Sequence, residues 1–298
     1  MAGAPLHLST AFGLRWESDV PLDHFALADA AGAGPDVRVT RVAALAERAS
    51  IAAVRRGHVY ADGTRFPWER EAAFDSWNGN RVDYLPGPDW KGALPYAFYG
   101  TVAAHLLAWR GLIPLHACAV EIDGRAVLIA GTAGAGKSSL MAGLLARGAA
   151  LLSDDLTAIE IVGGLAAALP GRTTIRLGDA VAAWTPGERF AEPSAETRGK
   201  HVIRPTVRTD APRLPIAALL ALDEAPGTLP PAARARAFAL HLFRPAWLAA
   251  LPGHRERQQG LLALAAQVPV IGFPARESDG EAEHFRRADR VAKLVETL

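Results

Sequence analysis

Cysteine is almost absent from this sequence: Cys118 stands alone among 298 residues. A single thiol forms no intramolecular disulfide and no thiolate metal cluster, so a reducing compartment, the cytoplasm, is expected. Long apolar runs are missing too. Stretches such as residues 216–222 fall far short of the ~20 residues that a membrane-spanning helix needs. The first ten residues lack a basic segment followed by an apolar core, which argues against a secretory signal. Neither sign of charge dominates, with 32 Lys and Arg against 31 Asp and Glu and a net charge of +1. Recognition by neutralising nucleic-acid phosphates demands a one-sided basic surface that this balance does not supply. The arginines at 234, 236, 255 and 257 are read as solvated helix faces. Neither nucleic acid nor a membrane is an expected partner. Internal repeats and low-complexity tracts are also lacking.

What the chain does have is apolar residues, half of the total, enough to bury a sizeable core in two compact units. Residues 1–94 read as a small β-rich N-terminal unit, with hairpin signals at Asp62-Gly63 and Asn78-Gly79. Residues 95–298 read as a second domain. It opens with a helix over 95–111, framed by Pro95 and Gly111. A strand over 115–122, a turn at Asp123-Gly124 and a strand over 125–130 come next. A loop, a helix over 137–147 and a strand over 149–152 follow. This strand–loop–helix–strand order is that of an α/β nucleotide-binding core. Further strands are expected at 157–162, 165–169, 173–177, 216–222 and 268–273. Helices are expected at 232–243, 255–266 and 281–298. The polar stretch 188–200 reads as a mobile loop beside the site.

The loop Gly131-Thr132-Ala133-Gly134-Ala135-Gly136-Lys137-Ser138 matches G-x-x-x-x-G-K-[ST], a P-loop. Its glycines let backbone N–H groups approach phosphate oxygens, and the helix that follows presents its positive end. Lys137 is placed as a point charge for the β- and γ-phosphates, and the Ser138 hydroxyl is suited to Mg²⁺. The cofactor-binding set is residues 131–138 together with Ser139, and the expected ligands are ATP and Mg²⁺. Ser153-Asp154-Asp155 closes the next strand. A carboxylate there reaches the carboxyl edge of the sheet, where open α/β sheets bind ligands. One can hold Mg²⁺, and another can take the proton of an attacking hydroxyl. His116 lies on the strand before the loop strand, where a lone histidine by itself reads as a satisfied core residue.

The run from Leu115 and His116 to Ser138, with the Ser153-Asp154-Asp155 ending, resembles the HPr kinase family. The resemblance spans residues 112–160 and implies an α/β core of the HPr kinase and PEP-carboxykinase type. It also implies transfer of the ATP γ-phosphoryl group to a serine of a peptide or small protein. The family includes kinases of the C-terminal serine of lasso-peptide precursors. By that resemblance Asp155 is the catalytic base, His116 and Lys137 act at the reacting centre, and Asp154 with Ser138 serves the metal. This chain carries Ser139 where the bifunctional members carry glutamate after the P-loop serine. It has Gly171-Arg172-Thr173-Thr174-Ile175 in place of their downstream Arg-Gly-x-Gly-Ile signature. Its N-terminal unit does not resemble their regulatory domain, so the pattern suits the stand-alone relatives better. An alternative reading uses Asp223 and Glu224, an apolar strand ending in two acids, as the Mg²⁺ and water residues of a nucleotide-driven ATPase switch. Arg172, Arg176 and Lys200 read as surface charges, one of which is suited to stabilising a transferred phosphoryl group. The seven tryptophans are dispersed and read as core or subunit-contact residues, leaving room for a homo-oligomer.

Overall fold

A computed structural model describes residues 5–29, 33–68, 70–194, 197–274, 276 and 280–298. It is a mixed α/β structure with several sheets. The chain divides into two compact units, residues 1–114 with 243–257, and residues 115–242 with 258–298.

The first unit is built on β1 (His7–Ala11), β2 (Leu14–Ser18), β3 (Ala26–Leu27), β4 (Val37–Arg41) and β5 (Ala52–Val54). It continues through β6 (Gly57–Tyr60), β7 (Gly63–Trp68), β8 (Ala72–Trp77) and β9 (Arg81–Pro86). These form one sheet in the order β3-β1-β2-β4-β9-β8-β7-β6-β5. Both expected hairpins are present. Tyr60 pairs with Gly63 and Trp77 with Arg81, and Asn78 and Gly79 take positive φ at the second turn. The expected 95–111 helix begins as a π-helical turn (Phe98–Val102) and becomes α1 (Ala103–Trp109). It groups with the β-rich unit because Phe98 is buried among Trp16, Phe25 and Phe74. An aromatic cluster of this kind outweighs the sequence break at Pro86–Pro88.

β10 (Ile113–Leu115) carries the chain onward to β11 (Ala117–Ile122), β12 (Arg125–Ala130), α2 (Lys137–Ala146), β13 (Ala150–Ser153), β14 (Thr157–Val162) and β15 (Leu165–Leu169). Next come β16 (Ile175–Leu177), α3 (Asp179–Ala182), β17 (Glu188–Ala191), β18 (His201–Arg204), β19 (Leu214–Ala221), β20 (Gly227–Thr228) and α4 (Pro231–Leu240). The segment 243–257 returns to the first unit with α5 (Pro245–Ala250), a helix the sequence pattern did not announce. α6 (His254–Gln267), β21 (Val270–Gly272) and α7 (Glu281–Glu296) complete the chain. Arg257 is no solvated-face residue: its guanidinium donates to the carbonyls of Leu248, Leu251 and Pro252 at the end of α5.

In the second unit β12 pairs parallel to β19 and antiparallel to β11, and β13 lies outside β11. The next strand in sequence is therefore not the next strand in space. Part of the polar stretch 188–200 is β17, which pairs with β18 in a small sheet of order β16-β18-β17. Residues 195 and 196 of that stretch lie outside the described residues. Leu140, Met141, Leu144 and Leu145 of α2 share one core with Val127, Ile129, Ala288, Val291 and Val295. Burial of each such leucine contributes about 1.5–3 kcal/mol. Gly143 allows α7 this close, because a Cβ there would stand 2.8 Å from the His284 carbonyl. Among the described residues no helix is long and apolar enough to cross a membrane.

Candidate functional site

The β12 strand ends at Ala130, and its register with β11 places Ala117 opposite Ala130. His116 therefore stands at the same sheet edge as the loop that follows β12. Ser153 of β13 pairs with Ala119, which brings Asp154 and Asp155 to that edge as well. On the other side, β19 runs parallel to β12 and delivers Asp223. The site is thus assembled from four strand ends, and three of them come from the segment 115–155.

The loop itself is a backbone device. Gly131, Gly134 and Gly136 have φ of 158°, 89° and 94°, and the last two values are in the region that favours glycine. Gly136 caps α2 without any side-chain hydrogen bond, and no acidic residue sits in the first turn. The first amides of α2 and its positive end are therefore left for an anion. This fits a nucleotide triphosphate. Lys137 Nζ donates to the carbonyls of Gly131 (2.6 Å) and Thr132 (3.2 Å), which holds the ammonium over the loop. Ser138 and Ser139 lie half-buried in the first turn of α2.

Asp155 is the centre of a charged cluster. Its carboxylate lies 3.2 Å from His116 Nε2, 3.7 Å from Arg176 Nη2 and 3.9 Å from Arg172 Nη1. Burial would raise its pKa. The His116 hydrogen bond and the two guanidinium groups outweigh that and hold the carboxyl well below the usual carboxylate range. The side chain is 28% exposed, so it can still meet a substrate. Asp155 has φ of 67°, an uncommon left-handed conformation for a residue with a side chain. Ser153 Oγ donates to the Leu156 carbonyl and the Leu156 amide to the Asp154 carbonyl, which ties the turn that keeps Asp155 there. Strain held in this way is a recurrent property of functional positions.

Asp154 faces the other way. Its buried carboxylate accepts from Cys118 Sγ (3.1 Å) and from the Arg176 amide (3.3 Å). Burial and this carboxylate push the Cys118 thiol well above its ordinary pKa, so it stays protonated as the donor. Arg176 thereby fastens both acids, one with its backbone and one with its side chain.

Arg172 and Arg176 are corrections to the surface-charge reading. The Arg172 side chain is 1% exposed and that of Arg176 17%, and both point to Asp155. The Gly171 amide donates to the Leu152 carbonyl, which stitches the 170–172 segment to β13 beside the acids. Lys200 is exposed, as expected. Asp223, the metal-binding acid of the ATPase alternative, accepts from the Thr132 amide (2.6 Å) and hydroxyl (3.1 Å). It clamps the start of the loop.

One residue was invisible to sequence reasoning. His241 follows α4, and its carbonyl accepts the His116 amide at 2.7 Å. Burial pushes its imidazole pKa down. Lys137 and His116 add to that shift, while Asp223 and Glu224 oppose it. No spacing signal marks it, since it lies far along the chain at the end of an unremarkable helix.

Among the described residues no group of three or more His, Cys, Asp or Glu side chains could hold a metal ion. No protein-family model matches the chain, and no curated protein matches its sequence. A solved structure similar to this chain is the HPr(Ser) kinase/phosphatase from Coxiella burnetii. The identity is 18%, the match covers 61% of this chain and 98% of that one, and the TM-score is 0.31. That likeness is weak, and the functional reading rests on the geometry of the site.

Proposed function

We propose that this protein is an ATP-dependent kinase that transfers the γ-phosphoryl group to a serine hydroxyl of a peptide or small protein. One observation carries the reading. An uncapped glycine-rich loop at a helix N-terminus shares a sheet edge with a half-open carboxylate set among His116, Arg172 and Arg176. The amides of 132–139, with Lys137, cradle the phosphates. Ser138 is the hydroxyl that would hold Mg²⁺, and the ion would neutralise phosphate charge. The acceptor oxygen attacks the γ-phosphorus, the bond to the β-phosphate oxygen breaks, ADP leaves, and Asp155 takes the hydroxyl proton.

The low pKa of Asp155 makes it a weak base in the ligand-free protein. An incoming triphosphate competes for Arg172 and Arg176, which weakens their hold on Asp155 and raises its basicity when substrate is bound. The same two guanidiniums then face charge on the transferred group. His116 orients the carboxylate. The acceptor is a serine-bearing peptide such as a lasso-peptide precursor, or an HPr-like protein. Labelled γ-phosphate transfer into such acceptors, with Asp155→Asn as the control, tests the reading. Equal transfer by that variant removes Asp155 from the role.

A second reading has one observation in its favour. Asp223 lies at the loop on a strand parallel to β12, the position a Mg²⁺-binding acid takes in nucleotide switches. Both of its oxygens are already bonded to Thr132, however. Glu224→Gln discriminates: loss of ATP turnover supports the switch, and intact turnover leaves the kinase.

A further inference from the structure

Arg287 of α7 is a cation that neither the core nor the reaction described above explains. Its side chain is 1% exposed. Nη2 donates to the Pro274 carbonyl at 2.9 Å, while Nε and Nη1 are buried with no hydrogen-bond partner among the described residues. The guanidinium lies 5.4 Å from the centre of the Phe273 ring. Nη1 stands 3.8 Å from where a Cβ would project from Gly136, and the Cδ of Arg276 stands 4.0 Å from that same point. Two arginines therefore border the last glycine of the loop, at the N-terminus of α2.

The surrounding charge does little to neutralise Arg287. Glu283 favours the Arg287 cation, but Arg286 already engages it at 2.7 Å. Arg276 and Arg290 act against it, and burial itself pushes the guanidinium pKa down. A desolvated guanidinium with open donors is costly unless an anion completes it.

We propose that Arg287 is an anion-binding residue of the nucleotide site, its free Nε and Nη1 donors taking a phosphate oxygen of the bound nucleotide. The inference rests on the ATP-binding reading above and deepens it by giving the loop a second cation besides Lys137. Engagement brings the buried donors out to the ligand, so Arg287 is ordered by the nucleotide and α7 is coupled to occupancy of the loop.

Calorimetric titration with MgADP and MgATP, combined with melting in the absence of nucleotide, tests this on wild type, Arg287→Met, Arg287→Gln and Lys137→Met. The expected result is binding by wild type and an affinity about tenfold to a hundredfold lower in both Arg287 variants, the range of a lost charge-assisted hydrogen bond. Their nucleotide-free melting temperature should be unchanged or higher, because removing a buried unpaired charge relieves the fold. Unchanged affinity overturns the assignment, and so does a fall in melting temperature with affinity intact, which would mark a purely structural arginine. If wild type binds neither nucleotide, the ATP reading fails first and takes this inference with it. Should both variants fail to fold, the Arg287 Nε–H signal of ¹⁵N-arginine-labelled wild type decides. A signal that shifts on adding MgADP supports the assignment, and an arginine spectrum indifferent to nucleotide overturns it.

Discussion

Asp155 and Asp223 flank the glycine-rich loop from opposite sides of β12, and they are held in opposite ways. Asp223 is exposed, yet both its oxygens are spent on the amide and hydroxyl of Thr132. Asp155 is more enclosed and makes no hydrogen bond to the loop; the side chains of His116, Arg172 and Arg176 surround it instead. A carboxylate saturated by backbone is a clamp. One balanced among side chains alone can change partners when a triphosphate arrives. The lesson is that an acid's chemical availability follows from what it is bonded to, not from how exposed it is.

Breaking the loop itself should have the largest effect. Lys137→Ala is expected to abolish both nucleotide binding and transfer, a loss of about a hundredfold or more in affinity, since the β- and γ-phosphates lose their point charge. Calorimetry with MgATP checks this. Asp155→Asn comes next and separates the two acids. Transfer should fall by about 10²–10⁴, the usual worth of a positioned proton acceptor, while MgATP affinity changes little. Asparagine also tolerates the left-handed backbone, so the fold is spared. Asp223→Ala should do the reverse. It should weaken nucleotide binding and cost about 1–3 kcal/mol of stability through two lost charge-assisted hydrogen bonds, with saturating kcat held. If it lowers kcat as Asp155→Asn does, the contrast between clamp and base collapses.

The smallest effect concerns pH and extends the contrast to the two units. His105 in the first unit is fully buried against Phe66 and Trp247, and burial lowers its pKa to about 4. A buried imidazole that must stay neutral destabilises the fold as the unfolded chain takes up protons. Stability should therefore decline as pH falls below about 6.5, and further toward 4. The depressed pKa of Asp155 acts later. Its contribution is full above the ordinary value of 3.8 and is lost only as pH falls below that. Urea denaturation at pH 7 and pH 5 should show a loss that His105→Leu reduces and Asp155→Asn leaves in place.

Much of the site was legible because it is local in sequence. The glycines, Lys137, the hairpin before the loop and the acids after β13 follow one another within a few dozen residues, and near-continuous apolar runs mark the strands that carry them. Other features depend on which strands become neighbours. Arg172 looks like a surface charge until the 170–172 segment is seen to be stitched to β13. Asp223 meets the loop only because β19 lies beside β12. His241 and Arg287 reach the site only through the packing of α4 and α7, and no motif records that. In the first unit, α1 was legible as a helix, but its membership was decided by an aromatic cluster gathered from distant strands.

The most direct test is a crystal structure with Mg²⁺ and a non-hydrolysable ATP analogue. The account predicts the triphosphate wrapped by the amides of residues 132–139, with the Asp155 carboxylate within direct or single-water reach of the terminal phosphate. A triphosphate bound elsewhere, or an Asp155 turned away from it while Asp223 takes the metal, would contradict it.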